Sequence, residues 1–397
     1  MVAVPIPPVS RVGVPRASPN LTFVSDRLRL GVVGCGNIAD LNVAGYLHHP
    51  ACDVVAVCDR RADAARDAAG RWGVAAWHDD LDDLLARDDV DAVEVLTPTN
   101  THTAIVSAAI EAGKHVSCQK PLATTVADVR ALGDAARRRG VVLRTSECYL
   151  HYPPLELARS LIEAGAIGEP TVVRIKTVVG TTDSDFQRQL DIDGYWWRFD
   201  DRSPGGHLFD DVVHKFACAR WLPGRAVTSV QSVVRQTGFF FEAPTVALFE
   251  YDDPNLLGMM EVSYAPDMHI PSRYFGADEF FEVQGTDGWI WVTRCTGEML
   301  DLPPVVLYGR DGTRRGFTDV DADWGAGFRR ASAAFVDGLL AGDTDIDMTP
   351  EDSARVLQLC FAVYQASNER RPVDPSTITT SVSPDGWPYT RSADMPR

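Results

Sequence analysis

The residues best suited to proton chemistry in this sequence fall in two places. Lys120 stands directly before Pro121 in Cys118-Gln119-Lys120-Pro121, at the end of a short apolar run. An ammonium there can hydrogen-bond a substrate hydroxyl or shuttle a proton, although by position alone it reads equally as a solvated surface lysine. The second place is Pro204-Gly205-Gly206-His207-Leu208-Phe209-Asp210-Asp211-Val212-Val213-His214. If that run is helical, Asp210 and His214 stand on one face, close enough to interact. Oxidising a secondary alcohol needs a group that accepts the hydroxyl proton as hydride leaves, and histidine suits this near neutral pH. A nearby carboxylate would orient the imidazole or hold a neighbouring hydroxyl; Asp211 and His207 are alternatives on other faces. Alone, such an Asp-x-x-x-His pair is more often a helix-surface contact. No third ligand shares a recognisable spacing, so no metal is expected.

A hydride acceptor is suggested earlier in the chain. Residues 30–33 read as a buried strand, Gly34-Cys35-Gly36-Asn37-Ile38-Ala39 as a tight turn opening a helix, and residues 54–58 as a second strand ending in Asp59. Gly34 permits the turn, Gly36 lets backbone N–H groups approach a pyrophosphate, and Ala39 keeps the helix close to the sheet. The positive end of the helix faces the phosphates. Asp59 would accept hydrogen bonds from the adenosine ribose and repel a 2′-phosphate, which favours NAD over NADP. The glycines alone could serve any tight βα turn; strand, turn, helix, strand and acid in order say more.

The elements that must position these residues alternate. Helices are expected at 62–72, 81–87, 104–112 and 126–139, the last stopped by Gly140, with strands at 92–96, 115–118 and 141–145. This predicts a doubly wound parallel sheet. Ligands gather outside the carboxyl ends of such strands, so the exit loops Thr97-Pro98-Thr99-Asn100-Thr101-His102 and Gln119-Lys120-Pro121 should border the cofactor. After a helix at 155–164, strands dominate: 171–178, 227–235, 245–251, 258–264, 280–284, 289–293 and 305–308. Their period-two alternation predicts an antiparallel or mixed sheet with one face buried and the other solvated or paired with a second subunit. A helix at 207–221 interrupts the series, and two more close the chain at 326–340 and 350–368. The last is opened by Thr349-Pro350-Glu351-Asp352, a cap, a first-turn proline and two acids.

Composition sets bounds. The 397 residues exceed what one core usually serves, and 55 acidic against 38 basic residues, net −17, argue against a nucleic-acid or anionic-membrane partner. Eight cysteines without a CxxC pair read as buried thiols in a reducing, cytoplasmic compartment. No apolar run approaches the roughly 18 residues a membrane helix needs. Prolines at 5, 7, 8, 15 and 19 break any signal-peptide core, so residues 1–27 are expected to be a disordered or loosely docked extension. The expected division is then 28–150 for the nucleotide domain, 151–375 for a substrate and oligomerisation domain, and 376–397 for a tail.

Together, six ordered motifs resemble the Gfo/Idh/MocA oxidoreductase family, the glucose-fructose oxidoreductase and inositol dehydrogenase group, over roughly residues 28 to 370. They are G-V-V-G-C-G-N-I-A, T-P-T-N-T-H at 97–102, A-G-K-H-V-S-C-Q-K-P at 112–121, A-G-A-I-G-E-P at 164–170, G-G-H-L-F-D-D-V-V-H at 205–214 and T-P-E-D-S-A at 349–354. The resemblance implies a Rossmann domain followed by an open, mostly antiparallel sheet domain, assembly into dimers or tetramers, and terminal helices packing partly on the Rossmann domain. It implies that Lys120 is the catalytic lysine, Asp210 the substrate-site aspartate and His214 the proton acceptor. Two departures stand out: Gln119 replaces the usual glutamate before the lysine, and Val212 replaces a glycine often found two residues before the histidine.

The substrate is less legible. Between a strand and the Asp210 run, Tyr195, Trp196 and Trp197 can stack on sugar faces, and Gln187, Arg198 and Asp200 can read hydroxyls; the same aromatics could pack an interface. Tyr149, His151, Tyr152 and Asp211 are further candidates. Without a cluster of basic residues for a diphosphate, the reading favours a neutral sugar, glycoside, such as a glucoside oxidised at C3, or cyclitol. The activity expected is an NAD-dependent dehydrogenase of secondary alcohols. Its rivals are redox-assisted glycoside cleavage with recycled NAD and a non-catalytic NAD(P)-sensing regulator.

Overall fold

The computed structural model describes residues 26–188, 198, 202–236 and 241–387. Most of the expected 1–27 extension, and the tail beyond residue 387, lie outside the described residues.

The first half alternates as expected: β1 (Leu28–Val33), α1 (Ala39–Leu47), β2 (Cys52–Cys58), α2 (Ala62–Trp72), β3 (Ala76–His78), α3 (Leu81–Leu85), β4 (Ala92–Val95), α4 (Thr99–Glu111), β5 (His115–Gln119), α5 (Val126–Arg139) and β6 (Leu143–Ser146). The six strands form one parallel sheet in the order β3-β2-β1-β4-β5-β6. This is the doubly wound order, whose direction of winding reverses between β1 and β4. Nearly every residue of β1 and all of β4 are buried, as strands covered by helices on both faces must be. One expectation changes here. Thr99, Asn100 and His102 belong to the first turns of α4, so the exit loop of β4 is shorter than the apolar pattern alone suggests.

The second half comprises α6 (Pro153–Glu163), β7 (Pro170–Thr181), the short α7 (Asp185–Arg188), α8 (His207–Asp210), α9 (Val213–Trp221), β8 (Val227–Val234), β9 (Thr245–Tyr251), β10 (Leu257–His269), β11 (Ala277–Gly285), β12 (Trp289–Val292), β13 (Val305–Tyr308), β14 (Arg314–Phe317), α10 (Trp324–Ala341) and α11 (Pro350–Glu369). Its eight-stranded sheet has the order β14-β13-β12-β11-β7-β10-β9-β8 and is antiparallel except between β7 and β10. The expected single helix at 207–221 is two helices, because Asp211 and Val212 form a turn in which Val212 N–H reaches back to His207 O. β3 and β14 escaped the sequence reading: each is short and mostly unburied, so neither shows an apolar run.

The terminal helices return to the first sheet. Ser332 on α10 donates to the Asn42 carbonyl on α1 at 2.8 Å, and a side chain on Gly45 would collide with the Arg329 backbone. α11 begins as its sequence predicts, with the Thr349 hydroxyl accepting from Asp352 N–H at 3.3 Å, and Pro350 seats against Gly133 of α5. One apolar core runs from Val93 and Val116 through Phe209 and Phe216 to Val173 and Phe281, so the two sheets share it. Burial of this kind is the main stabilising term in folding. Among the described residues no helix is long and apolar enough to cross a membrane.

Candidate active site

The glycine loop lies at the carboxyl end of β1. Gly34 has φ +98°, and a Cβ there would stand 2.8 Å from the Leu96 backbone, so both conformation and space require glycine. At Gly36 a Cβ would meet nothing within 4 Å, which leaves that backbone open to approach. Ala39, wholly buried, starts α1 immediately beyond. Asp59 does something the sequence does not reveal: Oδ2 accepts Cys35 N–H at 2.9 Å and Oδ1 accepts Arg61 N–H at 3.0 Å. The carboxylate therefore braces the loop that precedes it in the chain. An exposed Gly36 backbone, a helix N-terminus and an acid at the end of β2 fit a dinucleotide.

The loops beside it are tied together. His102 is buried between two carbonyls, with Nδ1 2.8 Å from Pro121 O and Nε2 2.8 Å from Thr97 O. It joins the β4 and β5 exits from inside the fold, and burial lowers its basicity. The Thr101 hydroxyl bonds Thr97 Oγ1 at 2.9 Å and Pro98 O at 2.7 Å. Gln119 donates from Nε2 to Asn42 Oδ1 at 3.2 Å and accepts Lys120 N–H at 2.9 Å. A carboxylate at 119 could not make the first of these bonds, so the glutamine also fastens α1 to the β5 exit.

Lys120, Asp210 and His214 come together beside this edge. Lys120 Nζ donates to the Asp210 carbonyl at 2.7 Å, joining the first sheet to α8. The Asp210 carboxylate takes Arg198 Nε at 2.7 Å; burial acts to raise its pKa, but Arg198 and Lys120 outweigh this and hold it below the ordinary value. Asp210 is not the partner of His214, because the turn at 211–212 separates the helical rows they would share. The partner is Glu147, at the exit of β6, whose Oε1 stands 2.5 Å from His214 Nδ1. Among the described residues Nε2 of His214 has no hydrogen-bond partner. Burial first, then the ammonium groups of Lys120 and Lys215, lower the imidazole pKa against the opposing pull of Glu147.

Beneath the histidine lies a second charged layer. Tyr149 stacks on the imidazole with ring centroids 4.4 Å apart, and its hydroxyl donates to Glu279 at 3.0 Å. Lys215, fully buried, reaches Asp211 at 2.7 Å and Glu279 at 3.0 Å, and these acids raise its pKa despite burial. Glu242 accepts Gly206 N–H at 2.8 Å and Leu208 N–H at 2.7 Å, fixing the start of α8.

A family model described as an oxidoreductase family with an NAD-binding Rossmann fold matches residues 28–146, and one described as the GFO/IDH/MocA C-terminal domain matches residues 155–291. The 1,5-anhydro-D-fructose reductase of Ensifer adhaerens is 35% identical over 341 residues, 85% of this chain and 96% of that protein. The chain belongs to the Gfo/Idh/MocA oxidoreductase family. Its similarity to the dTDP-3,4-didehydro-2,6-dideoxy-alpha-D-glucose 3-reductase of Streptomyces violaceoruber is 37% over 210 residues, 52% of this chain but only 58% of that relative. The crystal structure of GenD2 from gentamicin A biosynthesis, in complex with NAD, superposes with a TM-score of 0.71 at 26% identity, covering 91% of this chain and 99% of that one.

Within this Gfo/Idh/MocA fold the remaining sequence candidates separate. Tyr149 is packed against His214, Tyr152 donates to Ala322 O at 3.0 Å, and His151 pairs with Asp347 at 2.6 Å, so all three are engaged by protein groups. Asp211 is held by Lys215 and by His207 at 3.4 Å. Arg198 sits on Asp210, whereas Tyr195, Trp196, Trp197 and Asp200, with the Gln187 side chain, lie outside the described residues. Glu147, Lys215, Glu242 and Glu279 were missed from sequence. Glu147 had one usable signal, a carboxylate directly after the last parallel strand. Glu147, Cys148 and His214 also bring a carboxylate, a thiol and an imidazole within 4.8 Å of one another. Two of these share a hydrogen bond, and burial holds the Cys148 thiol well above its ordinary pKa, which disfavours the thiolate a metal would need.

Proposed function

We propose that this protein is an NAD-dependent dehydrogenase of a secondary alcohol on a sugar, a glycoside (for instance C3 of a glucoside) or a cyclitol. The observation that carries the reading is the meeting of Lys120, Asp210 and His214 at the carboxyl edge of the parallel sheet, beside a glycine loop open at Gly36. When bound, NAD supplies the hydride acceptor; Gly34, Gly36, Asn37, Ile38 and the residues 97–100 would border it, and Asp59 its adenosine ribose. His214 Nε2 would take the hydroxyl proton as bound NAD accepts the hydride of the carbinol C–H bond and the C–O bond becomes C=O. Lys120 and Asp210 orient the hydroxyls, and Arg198 keeps the Asp210 carboxylate ionised. The names of the two relatives, both sugar reductases, support a carbohydrate substrate. Steady-state assays with NAD or NADP and a panel of neutral polyols test this: turnover with NAD on at least one polyol is expected, and none on any polyol despite tight NAD binding overturns it.

The same reading includes a homodimer or homotetramer in the cytoplasm. Val233, Val246, Leu248, Leu257 and Met259 lie on one face of β8, β9 and β10 and are 36–55% exposed, with Leu248 opposite Met259. A contiguous apolar face of this kind is normally covered by a partner, and a second copy fits it. Light scattering should give a multiple of 43.4 kDa, reduced by Leu248→Glu; a monomer at micromolar concentration would refute the assembly.

A further inference from the structure

We propose that Glu147 is the positioning residue of the acid–base histidine: it holds the Nδ1 proton of His214, presents Nε2 to the substrate hydroxyl, and balances the imidazolium charge formed as that proton arrives. This rests on the proposed role of His214 and adds a residue from a different segment of the chain. Three observations bring it about.

First, the contact is direct and dry. His214 and Glu147 are 2% and 1% exposed, and Nδ1 and Oε1 stand 2.5 Å apart. A carboxylate only accepts, so the shared proton belongs to the imidazole nitrogen, and in the neutral ring this leaves Nε2 as the base. Among the described residues Nε2 makes no hydrogen bond to the protein, so it is the nitrogen left for the substrate hydroxyl.

Second, Glu147 is itself held. Directly after β6, it caps the 3-10 turn Cys148–His151, and Oε1 also accepts Tyr149 N–H at 3.1 Å. The Tyr149 ring then stacks on the imidazole at 4.4 Å, and its hydroxyl is fixed by Glu279 and by Lys215 at 3.2 Å. The ring of His214 is therefore located by a carboxylate at its edge and an aromatic against its face. A positioned orienting group is what turns a histidine into an efficient general base.

Third, the surrounding charges require an anion there. The groups acting on His214 are Lys120 from the β5 exit, Lys215 and Asp211 from the α8–α9 segment, and Glu147 from the β6 exit, with Tyr149 and Cys148 beside them. Both ammonium groups oppose a proton on the imidazole, and Asp211 is largely committed to Lys215. Glu147 is the carboxylate in contact with the ring, so it stabilises the protonated state through which each turnover passes. Lys120 and Glu147 come from the exits of two neighbouring strands and His214 from a helix far along the chain, so the acid–base unit exists only where these segments meet.

The test is the pH profile of polyol oxidation by wild type, Glu147→Gln, Glu147→Asp and His214→Ala, with NAD affinity measured on each. Oxidation needs neutral His214, so kcat/KM in wild type falls on an acid limb below the ordinary histidine value of about 6.5. Removing the Glu147 charge lowers the histidine pKa further. Glu147→Gln is therefore expected to lower kcat at least tenfold, with KM and NAD affinity changed less than threefold, and to move the acid limb down by about one pH unit. Glu147→Asp, which keeps the charge, should return the limb toward its wild-type position. An inactive His214→Ala beside a Glu147→Gln enzyme with unshifted limb and wild-type kcat overturns the positioning role alone; a fully active His214→Ala overturns the acid–base reading beneath it. If Glu147→Gln fails to bind NAD, the tautomer of His214 in wild-type protein decides, read from imidazole nitrogen NMR shifts. Nδ1–H supports the proposal, and Nε2–H refutes it.

Discussion

The glycine loop and the proposed acid–base cluster meet at one sheet edge but are built on different scales of chain. Gly34, Gly36 and Asp59 belong to one βαβ unit, and the bond from Cys35 to Asp59 closes it on itself. The cluster is made at long range: Lys120 reaches Asp210 across 90 residues and Glu147 reaches His214 across 67. A loop closed within one βαβ unit, with glycine where φ is positive, is specified by neighbouring residues. A cluster drawn from distant segments depends on everything that docks them, including the shared apolar core and the polar ties of Lys120, Glu242 and Asp347.

That contrast can be broken or sharpened by substitution. The largest effect is expected at the cluster: Lys120→Ala should lower kcat for polyol oxidation by about a hundredfold or more, while NAD affinity, read by fluorescence quenching, stays within a few fold. Loss of NAD binding of the same size would mean that loop and cluster are one unit.

Next comes the docking itself. Asp347 bonds His151 and, at 3.2 Å, the fully buried guanidinium of Arg144. Asp347→Asn should cost about 3 kcal/mol, as breaking a buried ion pair does, and denaturant titration would measure it. The pH dependence has a definite sign. Asp347 raises the His151 pKa, against burial, to about 9, so the stability this histidine contributes is complete below its ordinary 6.5 and lost as pH rises through 9. Despite burial, His151 and Arg144 lower the Asp347 pKa to about 2, so its contribution is complete above 3.8 and lost as pH falls through 2. The pair stabilises most between about pH 4 and 6.5, and a variant whose cost does not change from pH 6 to pH 10 would contradict this.

The two glycines separate conformation from access. Gly34→Ala should destabilise the protein without any nucleotide, by about 1–3 kcal/mol, since it forces a side chain into a positive-φ position against the Leu96 backbone. Gly36→Ala should leave the melting temperature unchanged and weaken NAD binding several-fold. The smallest effect is at Asp59: Asp59→Ser should reduce the preference for NAD over NADP by about threefold, and unchanged selectivity would remove its ribose role.

What the sequence showed follows the same division. The glycine loop, the strand alternation and the cap at Thr349 are patterns within a few residues, set by local sterics and hydrogen bonding, and they were legible. Lys120, Asp210 and His214 were found as residue types in recognisable motifs, but their pairing was not. The Asp210–His214 contact expected from helical spacing fails at the turn of Asp211 and Val212, and Glu147 takes its place. Nothing within the local sequence marks Glu147 as a neighbour of His214, or Lys215 as a neighbour of Tyr149, because only tertiary packing brings them together. Leu30 and Val32 of β1, in contrast, announced their burial by hydrophobicity alone.

The central claim is hydride transfer from a carbinol carbon with His214 receiving the hydroxyl proton. The most direct measurement follows deuterium from the carbinol position of a labelled polyol into NAD, with wild-type protein and with His214→Ala. The account predicts transfer by the wild type and a rate at least a hundredfold lower in the variant at unchanged NAD affinity. Undiminished transfer by His214→Ala, or no transfer by the wild type from any polyol, would contradict it.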